Sequence, residues 1–373
     1  MRIKELDGLR ALAVLAVIGY HTMLWGRYLR FLVAGWLGVD LFFVLSGFLI
    51  TTILIQMQAD KHYFRVFYAR RALRILPPNM LFLFIYLGYS LAVGHAGKPE
   101  YWTQYIFYYT SLIPQVDRFT AYIGILPSFV IPGLGVMWSL SVEEIYYTIW
   151  APVVRYASKS IFYLTLGLMF ILAPIFRWFA PESALHYVEI YTFYCRMDAL
   201  AYGSLIAIVI TERAKNPAAW MISDRMFDIA TIIAGFTTVM IWIKLGGWPT
   251  SYVVRSWGLS LTDLSFALVV YALVRHSGSL KWYISFFRWK PLRSIGMVSY
   301  SLYLCHFPCY RLTQQMVGDW HLSRRWNAFT ASSLGLLASF AVAYALWYGM
   351  ESRILRWKDR KVPSLGHVTK EAV

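Results

Sequence analysis

Trp36-Leu-Gly-Val-Asp-Leu-Phe-Phe-Val-Leu-Ser-Gly-Phe-Leu-Ile-Thr-Thr-Ile-Leu-Ile-Gln56 carries a single ionisable side chain, Asp40. A helix rises about 1.5 Å per residue, so roughly 20 apolar residues cross a hydrocarbon layer of about 30 Å. The stretch reads as a membrane-spanning helix. Similar runs occur at 9–25, 76–93, 138–156, 160–178, 193–211, 226–244, 257–274, 294–312 and 329–350. The expected fold is an all-α integral membrane protein of about ten transmembrane helices.

Composition agrees. The chain is 59% hydrophobic and 14% charged, whereas soluble domains carry roughly a quarter charged residues. One soluble core could not hide that much apolar surface, but lipid tails solvate it on every face. The 16 Trp and 27 Tyr suit the membrane interface, where amphipathic rings collect.

A net charge of +16 fits nucleic acid, anionic lipid heads or a polyanionic ligand, and its location decides between them. With the N-terminus inside, segments 1–10, 57–75, 155–159, 212–225, 275–293 and 351–373 hold 24 of the 35 Lys and Arg. Positive loops stay cytoplasmic, so both termini are expected there. The expected partners are the bilayer and an anionic ligand, not nucleic acid. Oligomeric state is not legible.

Ala11 to Trp25 resembles a signal-peptide core, but Glu5 and Asp7 sit where basic residues belong and no small-residue cleavage site is found after it. Residues 1–357 are read as one membrane domain and 358–373 as a short cytoplasmic tail. The apolar stretch 101–113 is too short to span and reads as interfacial or re-entrant. Pro114, Gly124, Pro127, Pro132, Gly133 and Gly135 break up the adjoining segment. Cys195, Cys305 and Cys309 are odd in number and form no CxxC, so neither a disulfide framework nor a metal site is expected. No internal repeat suggests a pseudo-symmetric transporter.

Ionisable groups at membrane depth are costly and mark function by default. Arg10 and His21 are separated by eleven helical steps, which leaves about 20° of offset and roughly 16 Å of axial distance. Asp40, Glu143, Glu144 and His306 fall at a depth similar to His21. A histidine beside a carboxylate can act as a general base on a hydroxyl. Each group also has a plainer reading. His21 and His306 can simply bond between helices, and Asp40 can cap its helix. Ser141-Val-Glu-Glu144 matches a capping box, which leaves Glu143 as the chemical carboxylate. The stretch Lys61-His-Tyr-Phe-Arg-Val-Phe-Tyr-Ala-Arg-Arg-Ala-Leu-Arg74 alternates aromatic and basic residues as a surface helix would. Its Arg70, Arg71 and Arg74 either anchor to anionic lipid or grip a phosphorylated ligand.

These stretches resemble the membrane-bound acyltransferase family 3, which includes O-antigen and exopolysaccharide acetyltransferases. The resemblance rests on Leu6-Asp-Gly-Leu-Arg-Ala11 running to His21, Gly38-Val-Asp-Leu-Phe-Phe-Val-Leu-Ser-Gly-Phe48 and Phe67-Tyr-Ala-Arg-Arg-Ala-Leu-Arg-Ile-Leu-Pro77. It continues through Trp138-Ser-Leu-Ser-Val-Glu-Glu144, Ser299-Tyr300-Ser-Leu-Tyr-Leu-Cys-His306 and Glu351. It implies a cytoplasmic acyl-coenzyme A donor, commonly acetyl, and a saccharide or glycolipid hydroxyl as acceptor. Arg10 and His21 would be the functional pair, with His21 as base, and Asp40 and Glu143 would assist. The Arg-x-x-Arg motif, Arg71 and Arg74, would serve the donor; Arg70, Glu144, Tyr300 and His306 are added as candidates for the substrate site from the residues themselves. The setting implied is a bacterial inner membrane. Ile145 and Cys305 depart from the Gln and Trp common in the family, and neither change removes a charge. A further hydrolase-like domain found in some members is not expected within these 373 residues. A glycolipid transporter or flippase and a lipid-linked glycosyltransferase are the competing readings.

The charge count predicts that cysteines placed at 57–75 and in the C-terminal tail are shielded from an impermeant thiol reagent in intact cells. Labelling of either from outside would invert the topology.

Overall fold

The computed structural model describes residues 3–22, 30–92, 99–108, 110–111, 134–180, 192–216, 223–247, 251–318, 320 and 323–362. These residues form helices and short turns, with no strand among them. In chain order the first helices are α1 (Lys4–His21), a 3-10 segment (Arg30–Leu37), α2 (Gly38–Met57), α3 (Tyr63–Ala92) and α4 (Pro99–Ile106). Next come α5 (Trp138–Tyr156), α6 (Lys159–Phe179), α7 (Met197–Lys215), α8 (Asp224–Lys244) and α9 (Leu259–Arg275). The last are α10 (Trp282–Phe287), α11 (Lys290–Met297), α12 (Ser299–Gly318), α13 (Arg324–Leu346) and α14 (Ser352–Lys361).

Six segments among the described residues are long and apolar enough to cross a membrane by length and composition: Val33–Met57, Tyr63–Ala92, Lys159–Phe179, Asp224–Lys244, Val254–Arg275 and Trp326–Lys361. Exposed Ile232, Phe236, Val239, Leu164 and Ile171 show the apolar outer faces that lipid would cover. The buried core gathers instead around α1, α2, α5, α7, α9 and α12.

Close helix approach sets this core. A Cβ on Gly47 of α2 would lie 2.0 Å from the Leu200 carbonyl oxygen, and one on Gly203 of α7 would lie 2.0 Å from that of Val44. Only glycine at both positions lets the backbones touch, as small residues do where helices pack in lipid. Thr51 and Ser204 hydroxyls bond at 2.9 Å beside this crossing. Helices α12 and α13 form an antiparallel hairpin. Its ladder runs from Thr313 Oγ1 donating to Ala331 O, through Cys305 Sγ on Ser339 O, to Ser301 Oγ on the Glu351 carboxylate.

The structure redraws three sequence expectations. The basic stretch 61–74 does not form a helix of its own on the surface. It is the first half of α3, which continues through Pro77 and Pro78 to Ala92. The prolines cost only the bonds to the carbonyls four residues earlier, and Tyr300 Oη donates to Ile75 O at 3.0 Å nearby. Helix α14, which the turn Trp347–Glu351 joins to α13, runs across the boundary expected at 357 and takes residues 358–361 of the short tail into a helix. Residues 363–373 lie outside the described residues. Of the segment 101–113, residues up to 106 are helical in α4, with Trp102 and Tyr105 buried. Pro114, Gly124, Pro127, Pro132 and Gly133 lie outside the described residues.

Gly47→Leu should lower the thermal unfolding temperature of the detergent-solubilised protein by the equivalent of about 2 kcal/mol or more, because overpacking forces helices apart. Gly88→Ala is the control, since its Cβ meets nothing within 4 Å and alanine favours a helix. Equal effects from the two substitutions would contradict the packing account.

Candidate active site

Two histidines meet where α1 ends and α12 passes. His306 Nε2 lies 3.1 Å from His21 Nδ1. His306 Nδ1 is 2.6 Å from the Tyr303 carbonyl oxygen, and His21 Nδ1 is 3.0 Å from that of Val17. A carbonyl can only accept, so neutral His306 carries its proton on Nδ1 and offers the Nε2 lone pair. His21 Nδ1–H then donates between Val17 O and His306. The remaining lone pair is on His21 Nε2, which has no hydrogen-bond partner among the described residues and can act as a base. The ring of Phe307 stands edge-on to His21 at 5.5 Å.

A cavity opens on the other side of Tyr303, with about 720 Å³ of atom-free space once the solvent at its open mouth is counted. Arg10 of α1, Arg71 and Arg74 of α3, Glu143 and Tyr147 of α5, Ser46 of α2 and Tyr300 of α12 line it. Phe42, Phe43 and Tyr303 form its aromatic wall. Tyr303 links cavity to histidines, its ring 5.6 Å from that of His306. Its hydroxyl is pinned by Ser139 Oγ and Val136 O, each at 2.9 Å.

Within the cavity Glu143 is held from two helices. Ser46 Oγ donates to its Oε1 at 2.8 Å and Tyr147 Oη to its Oε2 at 2.6 Å. The Arg71 guanidinium lies over the Tyr147 ring, 5.4 Å from its centroid. Arg10 approaches Asp7 at 3.6 Å. Neither Arg71 nor Arg74 forms an ion pair among the described residues. The cavity thus combines cations with aromatic rings, and one of those rings, Tyr303, adjoins the histidine pair.

Five of the residues singled out in the sequence, Arg10, Arg71, Arg74, Glu143 and Tyr300, share this cavity, and His21 and His306 adjoin it. Asp40 does not meet His21. Arg196 Nη1 donates to Asp40 Oδ1 at 2.7 Å, and both side chains are about 2% exposed or less. Arg196 also lies over the rings of Trp36 and Trp138. A buried guanidinium leaves a carboxylate of the neighbouring helix little choice of partner. Arg70 turns away to Asp359. Glu144 is half-buried near Tyr300 and Tyr108. The capping box at Ser141 is absent. α5 already begins at Trp138, and Ser141 Oγ instead donates to Tyr108 O and accepts from Ser111 N. That contact holds Tyr108 in its positive-φ turn at φ 56.

Sequence reasoning missed Ser46, Tyr147 and Tyr303. Tyr147 was findable, since it falls four residues after Glu143 on the same helix face. A second polar group was also missed. Arg177 Nη1 and Nη2 meet Asp198 Oδ1 and Oδ2 at 2.9 and 2.6 Å, a bidentate pair with 0% exposure. Ser260 Oγ donates to the same Asp198, and Asp263 is buried beside them with neither carboxylate oxygen bonded. Each of these charges interrupts an apolar run, which was the available signal. No group of three or more His, Cys, Asp or Glu that could hold a metal occurs among the described residues.

The family profile described as an acyltransferase domain, that of acyltransferase family 3, matches residues 3–348. The chain is similar to the O-acetyltransferase OatA of Staphylococcus aureus, at 30% identity over 330 residues, covering 81% of this chain and 50% of that protein. It is also similar to the peptidoglycan O-acetyltransferase OatA of Listeria monocytogenes, at 29% identity over 83% of this chain and 50% of the relative. A third relative is the putative peptidoglycan O-acetyltransferase YrhL of Bacillus subtilis, at 27% identity over 86% and 51%. The chain thus spans about half the length of the curated relatives it matches. No solved structure matches.

Asp40→Asn should destabilise the protein by about 3 kcal/mol or more, because it strands Arg196 in a buried site. Thermal unfolding of Asp40→Asn, Arg196→Gln and the double variant checks this. The double variant should recover part of the loss. Unchanged unfolding temperature with lost turnover would return Asp40 to the chemistry.

Proposed function

The chain belongs to acyltransferase family 3, and from that membership we propose that it transfers an acyl group, in the simplest case acetyl, from cytoplasmic acyl-coenzyme A to a hydroxyl of a saccharide or glycolipid. The observation that carries the reading is a cavity lined by Arg10, Arg71 and Arg74 whose aromatic wall residue Tyr303 stands 5.6 Å from His306, the partner of His21. Three O-acetyltransferase relatives support the reaction class. The membrane helices and the inward charge bias support a multi-pass protein of the bacterial inner membrane. From the apolar run lengths and the charge count of the sequence we also propose ten spans with both termini inside, a membrane domain over 1–357 and a short tail after it; six of the spans are long and apolar enough among the described residues.

The phosphates of the donor would meet Arg71 and Arg74, whose planar forks suit phosphate oxygens. The pantetheine arm would extend past Arg10 along the cavity and bring the thioester to Tyr303. The acceptor hydroxyl would approach His21 from the outer side. His21 Nε2 takes the hydroxyl proton as the oxygen attacks the thioester carbonyl carbon. The carbon–sulfur bond then breaks, and the departing thiolate takes the proton from His21 Nε2, so that ester and free thiol result and the neutral imidazole is restored. His306 would orient the ring and share the charge that His21 gains, the part a carboxylate plays in the familiar triad. Glu143, held by Ser46 and Tyr147, faces the cationic cavity and would set the charge near the thioester rather than act as the base. The site calls for no metal in this scheme.

His21→Ala should abolish transfer of labelled acetyl from acetyl-coenzyme A by purified, monodisperse protein. His306→Gln should lower kcat by about 100-fold, within the usual range for losing general-base assistance, while leaving KM for the donor within about threefold. Near wild-type turnover in His21→Ala would remove the proposed base. A change confined to KM in His306→Gln would make that residue a binding group instead.

A further inference from the structure

The C-terminal helix α14 is docked, and one of its cations is in an unexpected place. Arg70 Nη2 holds Asp359 Oδ1 at 2.7 Å, and Arg70 Nη1 donates to Val362 O at 2.7 Å. These two bonds fasten α14 against the basic half of α3. The preceding residue, Lys358, is then turned inward, with its side chain 11% exposed. Its nearest carboxylate is Asp359 at 3.7 Å, and that oxygen is the one Arg70 already occupies. Arg70, Arg71 and Arg74 are all close enough to repel the Lys358 ammonium. Arg74 in turn feels Arg10 and Arg71, with Asp7 and Glu351 as the carboxylates in range.

Burying an ammonium among guanidinium groups is unfavourable unless negative charge joins them. The carboxylates in range are already engaged elsewhere: Asp359 by Arg70, Glu143 by Ser46 and Tyr147, and Glu351 by Ser301, while Glu144 faces Arg71 rather than Lys358. Arg71 and Arg74 form no ion pair among the described residues, and both line the cavity. A lysine adds a compact charge with three donors that can reach a phosphate oxygen at any angle, complementing the flat forks of two arginines. Exposed lysines on a surface helix would carry no such meaning. This one is withdrawn from solvent by a helix whose docking is itself specified by an ion pair and a backbone bond.

We propose that Lys358, with Arg71 and Arg74, forms a phosphate-binding site closed by the C-terminal helix, and that the phosphates it takes are those of the thioester donor. The inference rests on the donor assignment above. An anionic lipid headgroup offers the same chemistry, and the test separates the two sources. Residues 352–361 do not line the cavity itself; they would close over the Arg71 and Arg74 side of the donor, and donor binding would strengthen their docking.

The test is calorimetric titration of coenzyme A into full-length protein in neutral detergent, for wild type, Lys358→Met and Lys358→Arg, repeated with phosphatidylglycerol present. Methionine keeps the length and packing of the stem and removes the charge. Lys358→Met should weaken coenzyme A binding about tenfold or more, and Lys358→Arg should stay within about threefold of wild type, with phosphatidylglycerol competing weakly. Equal coenzyme A and phosphatidylglycerol affinities in wild type and Lys358→Met would overturn the proposal while leaving the donor assignment standing. If wild type binds no coenzyme A but loses retained phosphatidylglycerol on Lys358→Met, the phosphate site stands, its source is lipid, and the donor assignment is what fails.

Discussion

Charge inside a bilayer must be paired, hydrated or used, and this protein separates those fates in space. Around α2, α6, α7 and α9 the guanidinium groups are consumed: Arg177 by Asp198, Arg196 by Asp40. On the α3 side of the molecule Arg71 and Arg74 carry no such partner among the described residues and face a cavity. The first set locks helices together at depth. The second leaves cationic groups beside an open space. A scaffold and a site are thus told apart by how completely their charges are neutralised.

The site depends on that scaffold. α2 contributes Ser46 on one face, bonded to Glu143, and Asp40 near its start, paired with Arg196. The Gly47–Gly203 crossing with α7 sets the height of both. α1 and α12 run in the same sense, which brings Arg10 and Tyr300 to one cavity and sets His21 against His306. The track from cation to imidazole arises from two straight helices, with α3 closing one side and α5 another. All of these elements are long helices, so the geometry rests on packed helices rather than on loops.

Much of this was legible in the sequence. Apolar run lengths exposed the helices, and the eleven-residue interval between Arg10 and His21 placed them on one face. Pairing across helices was hidden. Asp40 and His21 lie at similar depth, but depth along an axis says nothing about azimuth, and Asp40 turns toward Arg196. His306 proved to be the neighbour of His21 because α12, not α2, adjoins that face. The Ser141 motif looked like a helix start because its residue types match a cap, yet the hydroxyl serves a tertiary turn at Tyr108. The docking of α14 was unreadable for a similar reason. A short, highly charged helix offers only Ile354 and Leu355 on the face that holds Lys358, and its ion pair and backbone bond to Arg70 join residues 289 and 292 positions apart.

The central claim is that a thioester donor and a glycan hydroxyl meet at the histidine pair. Its most direct test is release of free coenzyme A thiol by the purified protein, reconstituted in liposomes and given acetyl-coenzyme A with or without a lipid-linked or polymeric saccharide acceptor. The account predicts thiol release that depends on acceptor and is matched by acetyl ester on the saccharide. Acceptor movement across the membrane with no thiol released would contradict it and make the same polar track a transport path.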